Sequence, residues 1–171
     1  MATREVVLYP DNPLVEKAQP IQDVSVDLVK LAADMVETMD AYDGVGLAAP
    51  QIGLARRIVV VREPGGAEMC LINPEILEKS GSETGEEGCL SLPYVYAEVP
   101  RATHIRVRAL NEHGKQRVFE ANGFLARIIQ HEIDHLDGLL FIDRLDVLTR
   151  EAKLREWKDV RENMATADET A

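Results

Sequence analysis

The chain has 171 residues, about one domain's worth, with 46% hydrophobic and 29% charged residues and a formal charge of −11 from 19 Lys plus Arg against 30 Asp plus Glu. Such a composition excludes a disordered or membranous chain. The acidic balance argues against a broad electrostatic grip on nucleic acid or anionic lipid. The longest apolar stretches, such as Ile58 to Val61, fall far short of the ~20 residues a membrane span requires. The opening MATREVVLYPDNP has no apolar h-region and no cleavage site, and the two cysteines, Cys70 and Cys89, read as thiols rather than a disulfide. The expectation is a soluble cytoplasmic protein with one domain over residues 1–165 and a polar, frayed tail over 166–171.

The first element follows Ser25 or Asp23, either of which can cap a helix. Leu28, Leu31, Ala32, Met35 and Met39 recur at helical spacing until Tyr42-Asp43-Gly44 breaks the pattern. The next segment, GVGLAAPQIG at 44–53, is too glycine-rich to predict a regular element. From Ile58 to Val99 the signals are short and β-like. Alternation is cleanest at Ile105, Val107 and Ala109, followed by an Asn111-Glu112-His113-Gly114 turn and a second β run at Arg117–Glu120, which reads as a hairpin. A helix is predicted from about Asn122 to Asp137, stopped by Gly138. It is apolar on two sides, as a helix buried on both sides would be. A third helix after Leu145 carries Leu148, Leu154, Trp157 and Met164 among charges. One helix, then strands, then helices favours an α+β domain.

The strongest chemical signal is His131-Glu132-Ile133-Asp134-His135, of the form H-E-x-x-H. On a helix, residues four apart lie one above the other, so two imidazoles can close on one ion. The glutamate beside the first histidine is then near the ion without binding it, free to handle protons on a bound water. A catalytic site of this kind needs a third protein ligand and an open position. Glu151 and Glu156 lie downstream on a charged, solvated-looking helix. Cys89, in Glu87-Gly88-Cys89-Leu90-Ser91, is the other candidate. Cys70, inside Met69-Cys70-Leu71-Ile72, reads as a small core residue.

Three segments together, GVGLAAPQ at 44–51, EGCLS at 87–91 and QHEIDHLDG at 130–138, resemble in order and spacing the three signature motifs of peptide deformylases. The N-terminal LYPDNPLVEKAQPI also looks like that family's opening, and the similarity extends through about residue 145. The resemblance implies a monomeric α+β enzyme whose antiparallel sheets surround the motif-bearing helix, with a further C-terminal helix. Its implied activity is removal of formate from the N-formyl-methionine of newly made polypeptides. By motif match the metal ligands would be Cys89, His131 and His135. The family's usual ion is Fe²⁺, with Zn²⁺, Ni²⁺ or Co²⁺ able to occupy the site, whereas ligand softness alone would have suggested zinc. Metal-bound hydroxide would be the nucleophile and Glu132 the general base, then acid.

The tetrahedral oxyanion needs donors, which the resemblance assigns to the Gln51 side-chain amide and the Leu90 backbone N–H. Without the motif, Gln51 reads as an ordinary polar loop residue. Substrate contacts are expected along Gly44, Val45, Gly46 and Gly88, where an extended peptide can approach the backbone closely. Phe124 and Ile128, two turns and one turn before His131, are placed to line a methionine slot with Val45, with plain core packing an equal reading for Ile128. Two positions depart from the family's pattern. Tyr96 stands where the best-studied bacterial members have an arginine that holds the substrate backbone, and Arg127 where some members have an aliphatic residue near the methionine pocket. Arg101 reads equally as a partner for Glu87 or Asp134 behind the ligands and as a plain surface arginine.

The partners implied are formyl-methionyl nascent peptides and, through the task, the ribosome. The mixed charges of the last helix make a weak docking face for the latter. Three rivals share some of these residues. A metallopeptidase would use the helix motif with a downstream third ligand, a binding protein would keep the ion as a staple with a closed fourth ligand, and a cysteine hydrolase would leave His135 and Glu132 without roles.

Overall fold

The computed structural model describes the backbone of residues 2–170 and the side chains of 2–166. Its elements in chain order are α1 (Val26–Ala41), β1 (Gly46–Ala48), β2 (Ile58–Val61), β3 (Met69–Ser80), β4 (Glu83–Cys89), β5 (Leu92–Arg101), β6 (His104–Leu110), β7 (Gln116–Asn122), α2 (Gly123–Leu136) and α3 (Val147–Thr170), with short 3-10 turns at Ala49–Ile52 and Phe141–Arg144. The strands form a five-stranded antiparallel sheet in the order β1-β2-β3-β6-β7 and a separate β4-β5 ribbon. This is the α+β architecture expected, with sheets around the H-E-x-x-H helix.

Successive side chains of a strand point to opposite faces, and β2 uses both. Val59 and Val61 face a core shared with Ile105, Val107, Ala109 and the α2 residues Ala126, Ile129 and Ile133. Ile58 and Val60 face a second core with Leu28, Leu31, Met35 and Met39 of α1. A strand buried on both faces reads as a continuous apolar run, which is why IVVV shows no alternation. A third core sets Leu92, Val95, Ala97 and Val99 of β5 against Phe141, Ile142 and Trp157. From Val95 to Arg101 the alternating burial of β5 follows directly from period 2.

Helix α2 is enclosed: every residue from Ile128 to Leu136 is buried. It ends as the sequence predicts. Gly138 takes a left-handed φ of 78°, its N–H bonds to the His135 carbonyl and the Leu139 N–H to the Asp134 carbonyl, closing the last turn. A side chain there would also strike the Val15 carbonyl at 2.9 Å.

Two expectations are corrected. Residues 46–48 of the glycine-rich segment form a true strand, in register Gly46↔Val61, Leu47↔Val60 and Ala48↔Val59. Its glycine supplies closeness to a neighbour rather than a loop. In α3, Trp157 is buried and Leu154 and Met164 pack against the third core, but Leu148 is 78% exposed. The helical backbone of α3 continues through most of the segment read as a polar tail, with Ala171 outside the described residues. No helix among the described residues is long and apolar enough to cross a membrane.

Candidate metal centre

The H-E-x-x-H spacing on α2 puts the two imidazoles 5.1 Å apart, centroid to centroid and edge to face. Cys89 arrives from a different body. It is the last residue of β4, where the ribbon register shifts between Gly88 and Cys89, and this irregularity turns the chain towards α2. Cys89 Sγ lies 3.3 Å from His135 Nε2. One ligand atom from each of Cys89, His131 and His135 falls within 4.8 Å of the others. Among the described residues, the candidates Glu151 and Glu156 join no such cluster.

The donor chemistry fits a cation. A thiol and two imidazoles concentrate soft and borderline donors in a space with little solvent. Buried polar groups normally have partners. Yet His135 Nδ1 and Glu132 Oε1 are buried with no partner among the described residues. His131 is oriented from behind: its Nδ1 donates to Glu87 Oε1 at 2.8 Å, which leaves Nε2 as the coordinating nitrogen. Phe141 stacks on the His131 ring at 6.3 Å.

Electrostatics divides the cluster. Burial drives His135 well below its ordinary pKa, and the neighbouring His131 charge adds to this. For His131 burial acts in the same direction, but the Cys89 hydrogen bond, Glu132 and Glu87 outweigh it and raise the pKa well above the usual value. Burial likewise pushes the Glu132 carboxyl up to about 7, near where a proton-transfer group is most useful at neutral pH. Glu87 goes the other way. Burial would raise it, but hydrogen bonds from His131 and Arg101 bring it down to about 2.

Arg101, read equally as a surface residue or as a partner for Glu87 or Asp134, is buried and takes both partners. Its Nε and Nη2 donate to Glu87 at 2.9 and 3.0 Å, and its Nη1 to Asp134 Oδ2 at 2.6 Å. Arg144 closes on Asp134 from the other side, at 2.7 and 3.0 Å.

A family-model comparison matches residues 3–151 to polypeptide deformylase. Peptide deformylase 1 of Bacillus subtilis is 49% identical over 158 residues, covering 91% of this chain and 98% of that protein. The peptide deformylase of Carboxydothermus hydrogenoformans is 48% identical over 153 residues, 90% of this chain and all of that one. Among solved structures, the Thermus thermophilus peptide deformylase superposes with a TM-score of 0.87 at 48% identity, covering 91% and 93% of the two chains. The chain belongs to the polypeptide deformylase family. The Ehrlichia chaffeensis peptide deformylase in complex with actinonin also matches, with a TM-score of 0.89 at 36% identity over 93% of this chain and 98% of that one.

In this deformylase fold the remaining residues singled out from sequence are distributed unevenly. Gln51 is 1% exposed. Its Oε1 accepts the Ala48 N–H at 2.9 Å, and its Nε2 reaches Ser91 Oγ at 3.3 Å and Cys89 Sγ at 3.5 Å. The loop residue is thereby aimed at the sulfur. Leu90 follows Cys89 in the turn, with its side chain against Gly44, where a Cβ would meet Leu90 Cδ1 at 3.2 Å. Gly46 touches Glu132: a Cβ would sit 2.5 Å from Oε2. Any side chain at residue 46 would expel the carboxylate. Gly88 carries the Tyr96 ring, whose Cδ1 and Cε1 lie 2.6 Å from an ideal Cβ position. Val45 is 37% exposed and Phe124 48%, whereas Ile128 is 4% exposed inside the α2–sheet core. Ile128 is thus packed within the core, and Phe124 stands at the surface.

Sequence reasoning singled out neither Phe141 nor Arg144, and named Ser91 only as the end of the EGCLS segment. Neither Phe141 nor Arg144 belongs to a local pattern. Phe141 and Arg144 come from the 3-10 turn after α2, folded back onto it, and only the tertiary fold reveals the contact.

Proposed function

We propose that this chain removes the formyl group from N-terminal formyl-methionine of newly made polypeptides, with Cys89, His131 and His135 holding one divalent cation. The observation that carries the reading is the convergence of one thiol and two imidazoles beside a buried carboxylate with an unpartnered oxygen. A cation there would polarise the formyl carbonyl and acidify a water molecule. The family resemblance favours Fe²⁺, and the same donors suit Zn²⁺, Ni²⁺ or Co²⁺.

The chain's own groups supply the rest. Glu132, held against Gly46, takes a proton from the attacking water and delivers it to the departing amine. The Gln51 amide and the Leu90 backbone N–H stabilise the oxyanion. β1 is an edge strand, so its free side can pair with an extended peptide and lead the formylated end past Gly44, Val45 and Gly46 to Glu132. Gly88 brings the ribbon backbone close on the opposite side. Phe124 caps the methionine side chain, and Ile128 supplies its apolar floor. The ribosome is the expected place of encounter, and the enzyme works as a cytoplasmic monomer.

Formyl-Met-Ala-Ser and its unformylated counterpart separate this reading from a metallopeptidase. Stoichiometric release of formate from the first, with the tripeptide left intact, is expected. An internal cleavage product without formate would overturn it.

A further inference from the structure

The ligands come from two separately built bodies, the β4–β5 ribbon and helix α2, so the centre is only as well formed as the docking between them. Two arginines cross this boundary in opposite directions. Arg101, from the ribbon, reaches Asp134 on the helix. Arg127, from the helix, reaches the ribbon: it donates to the Glu83 carbonyl at 2.7 Å, the Val99 carbonyl at 2.8 Å and Glu87 Oε2 at 2.7 Å. Both bond to Glu87, the carboxylate that accepts from His131 Nδ1.

Arg127 engages both ribbon strands with one planar group, a task for which a lysine has the wrong geometry. Its guanidinium also lies flat on the ribbon backbone. A Cβ at Gly85 would come within 3.2 Å of Cζ and Nη2 and 3.3 Å of Nε, so the absence of a side chain at residue 85 is what admits it. The Arg127 side chain is 11% exposed and Glu87 5%, where hydrogen-bonded charge pairs are least screened by solvent.

We propose that Arg127 is a positioning residue for the metal centre, docking the Cys89-bearing ribbon on the histidine helix and fixing Glu87 behind His131. The inference rests on the metal-centre reading above. Sequence alone marks residue 127 as a departure near the substrate pocket, whereas the structure turns its side chain to the ribbon carbonyls.

The test compares Co²⁺ affinity, by competition with a chelator, in the full wild-type chain, Arg127→Met, Arg127→Lys and Gly85→Ala, alongside the melting temperature of each metal-free protein. Groups behind metal ligands are worth ~10–100-fold in affinity. Arg127→Met is expected to bind Co²⁺ at least about tenfold more weakly, with faster release to chelator, and Arg127→Lys to recover only part of the loss. Gly85→Ala, which keeps the arginine but lifts its guanidinium, should weaken binding in the same direction and stands in if Arg127→Met does not fold. Unchanged Co²⁺ affinity in the variants, even with a lower metal-free melting temperature, would overturn the positioning role. Failure of the wild type to bind Co²⁺ through a thiolate, read from its absorption spectrum, would instead overturn the metal-centre reading and the inference with it.

Discussion

At residue 132 the surroundings choose the chemistry of a carboxylate. An exposed glutamate would be a permanent anion, but burial on α2 against β1 lifts its pKa to about 7, and Gly46 leaves just enough room for it. Glu87, two residues from the sulfur, is surrounded by donors and stays ionised. Environments that pull two nearby carboxylates apart in this way separate a proton carrier from a fixed counter-charge. Glu132→Gln keeps the shape and loses the transferable proton. It is expected to retain wild-type metal content while turnover falls ~10²–10⁴-fold, measured as metal per chain and formate release on the same sample. Near wild-type turnover would remove Glu132 from the proposed role. His131, Glu132 and His135 were legible because their relation is a local helical spacing. Cys89 was legible from the residues only as one candidate beside Glu151 and Glu156, and Gln51 only through the resemblance, since a lone cysteine and a loop glutamine carry no pattern of their own.

Among the elements, the two amphipathic helices and the β6–β7 hairpin follow their sequence periodicity closely. The predicted turn at 111–114 separates strands paired from His104↔Asn122 to Leu110↔Gln116. β1 was illegible because its glycine argues against a strand on propensity, while tertiary pairing with β2 and contact with Glu132 decide otherwise. Helix α3 shows the reverse. Its mixed charges predict a lattice of intrahelical pairs, yet its anchors are long-range: Trp157 Nε1 donates to the Tyr9 carbonyl at 2.9 Å, Arg161 to the same carbonyl at 2.7 Å and to Asp11 at 2.9 Å. Trp157 also fills the core against β5. Trp157→Ala is expected to cost ~3–5 kcal/mol of stability, read from denaturant midpoints. Because α3 supplies none of the three ligands, the protein that remains folded should still bind metal. Loss of metal binding without loss of stability would give α3 a direct part in the site.

Over the whole molecule, the segment before α1 joins elements that are otherwise separate. The Val7 N–H bonds to the Gln51 carbonyl, the Tyr9 N–H to the Ser91 carbonyl and the Ala18 N–H to the Leu136 carbonyl, so this segment touches the 3-10 turn of Gln51, the ribbon turn and the end of α2. No periodicity announces such a path, because each bond is backbone to backbone across a long sequence separation. Its start is fixed on α1, where Asp34 accepts the Ala2 N–H at 2.8 Å and an Arg4 Nη2 bond at 3.1 Å. The Ala2 hydrogen bond and, less strongly, Arg4 hold the Asp34 carboxyl below its ordinary pKa against the opposing effect of burial. A depressed folded-state pKa adds stability that is fully present above the unfolded value, ~3.9, and is lost as pH falls through the folded value. Asp34→Asn should therefore be less stable than wild type at pH 7, with the gap in urea midpoint narrowing as pH drops below about 4. A gap of constant size down to pH 3 would show that Asp34 contributes no proton linkage.

Activity should depend on a single centre formed by one sulfur and two imidazoles, brought from the ribbon and the helix. Metal per chain and formate release, measured together on anaerobically purified wild type, Cys89→Ala and Cys70→Ala, test it most directly. Cys70 lies on β3, packed against the second core, and burial pushes its thiol up to about 12, so its loss should change packing alone. One equivalent of metal and full formate release are expected for wild type and Cys70→Ala, with both lost or sharply reduced in Cys89→Ala. Equal metal content and activity in wild type and Cys89→Ala would contradict that dependence.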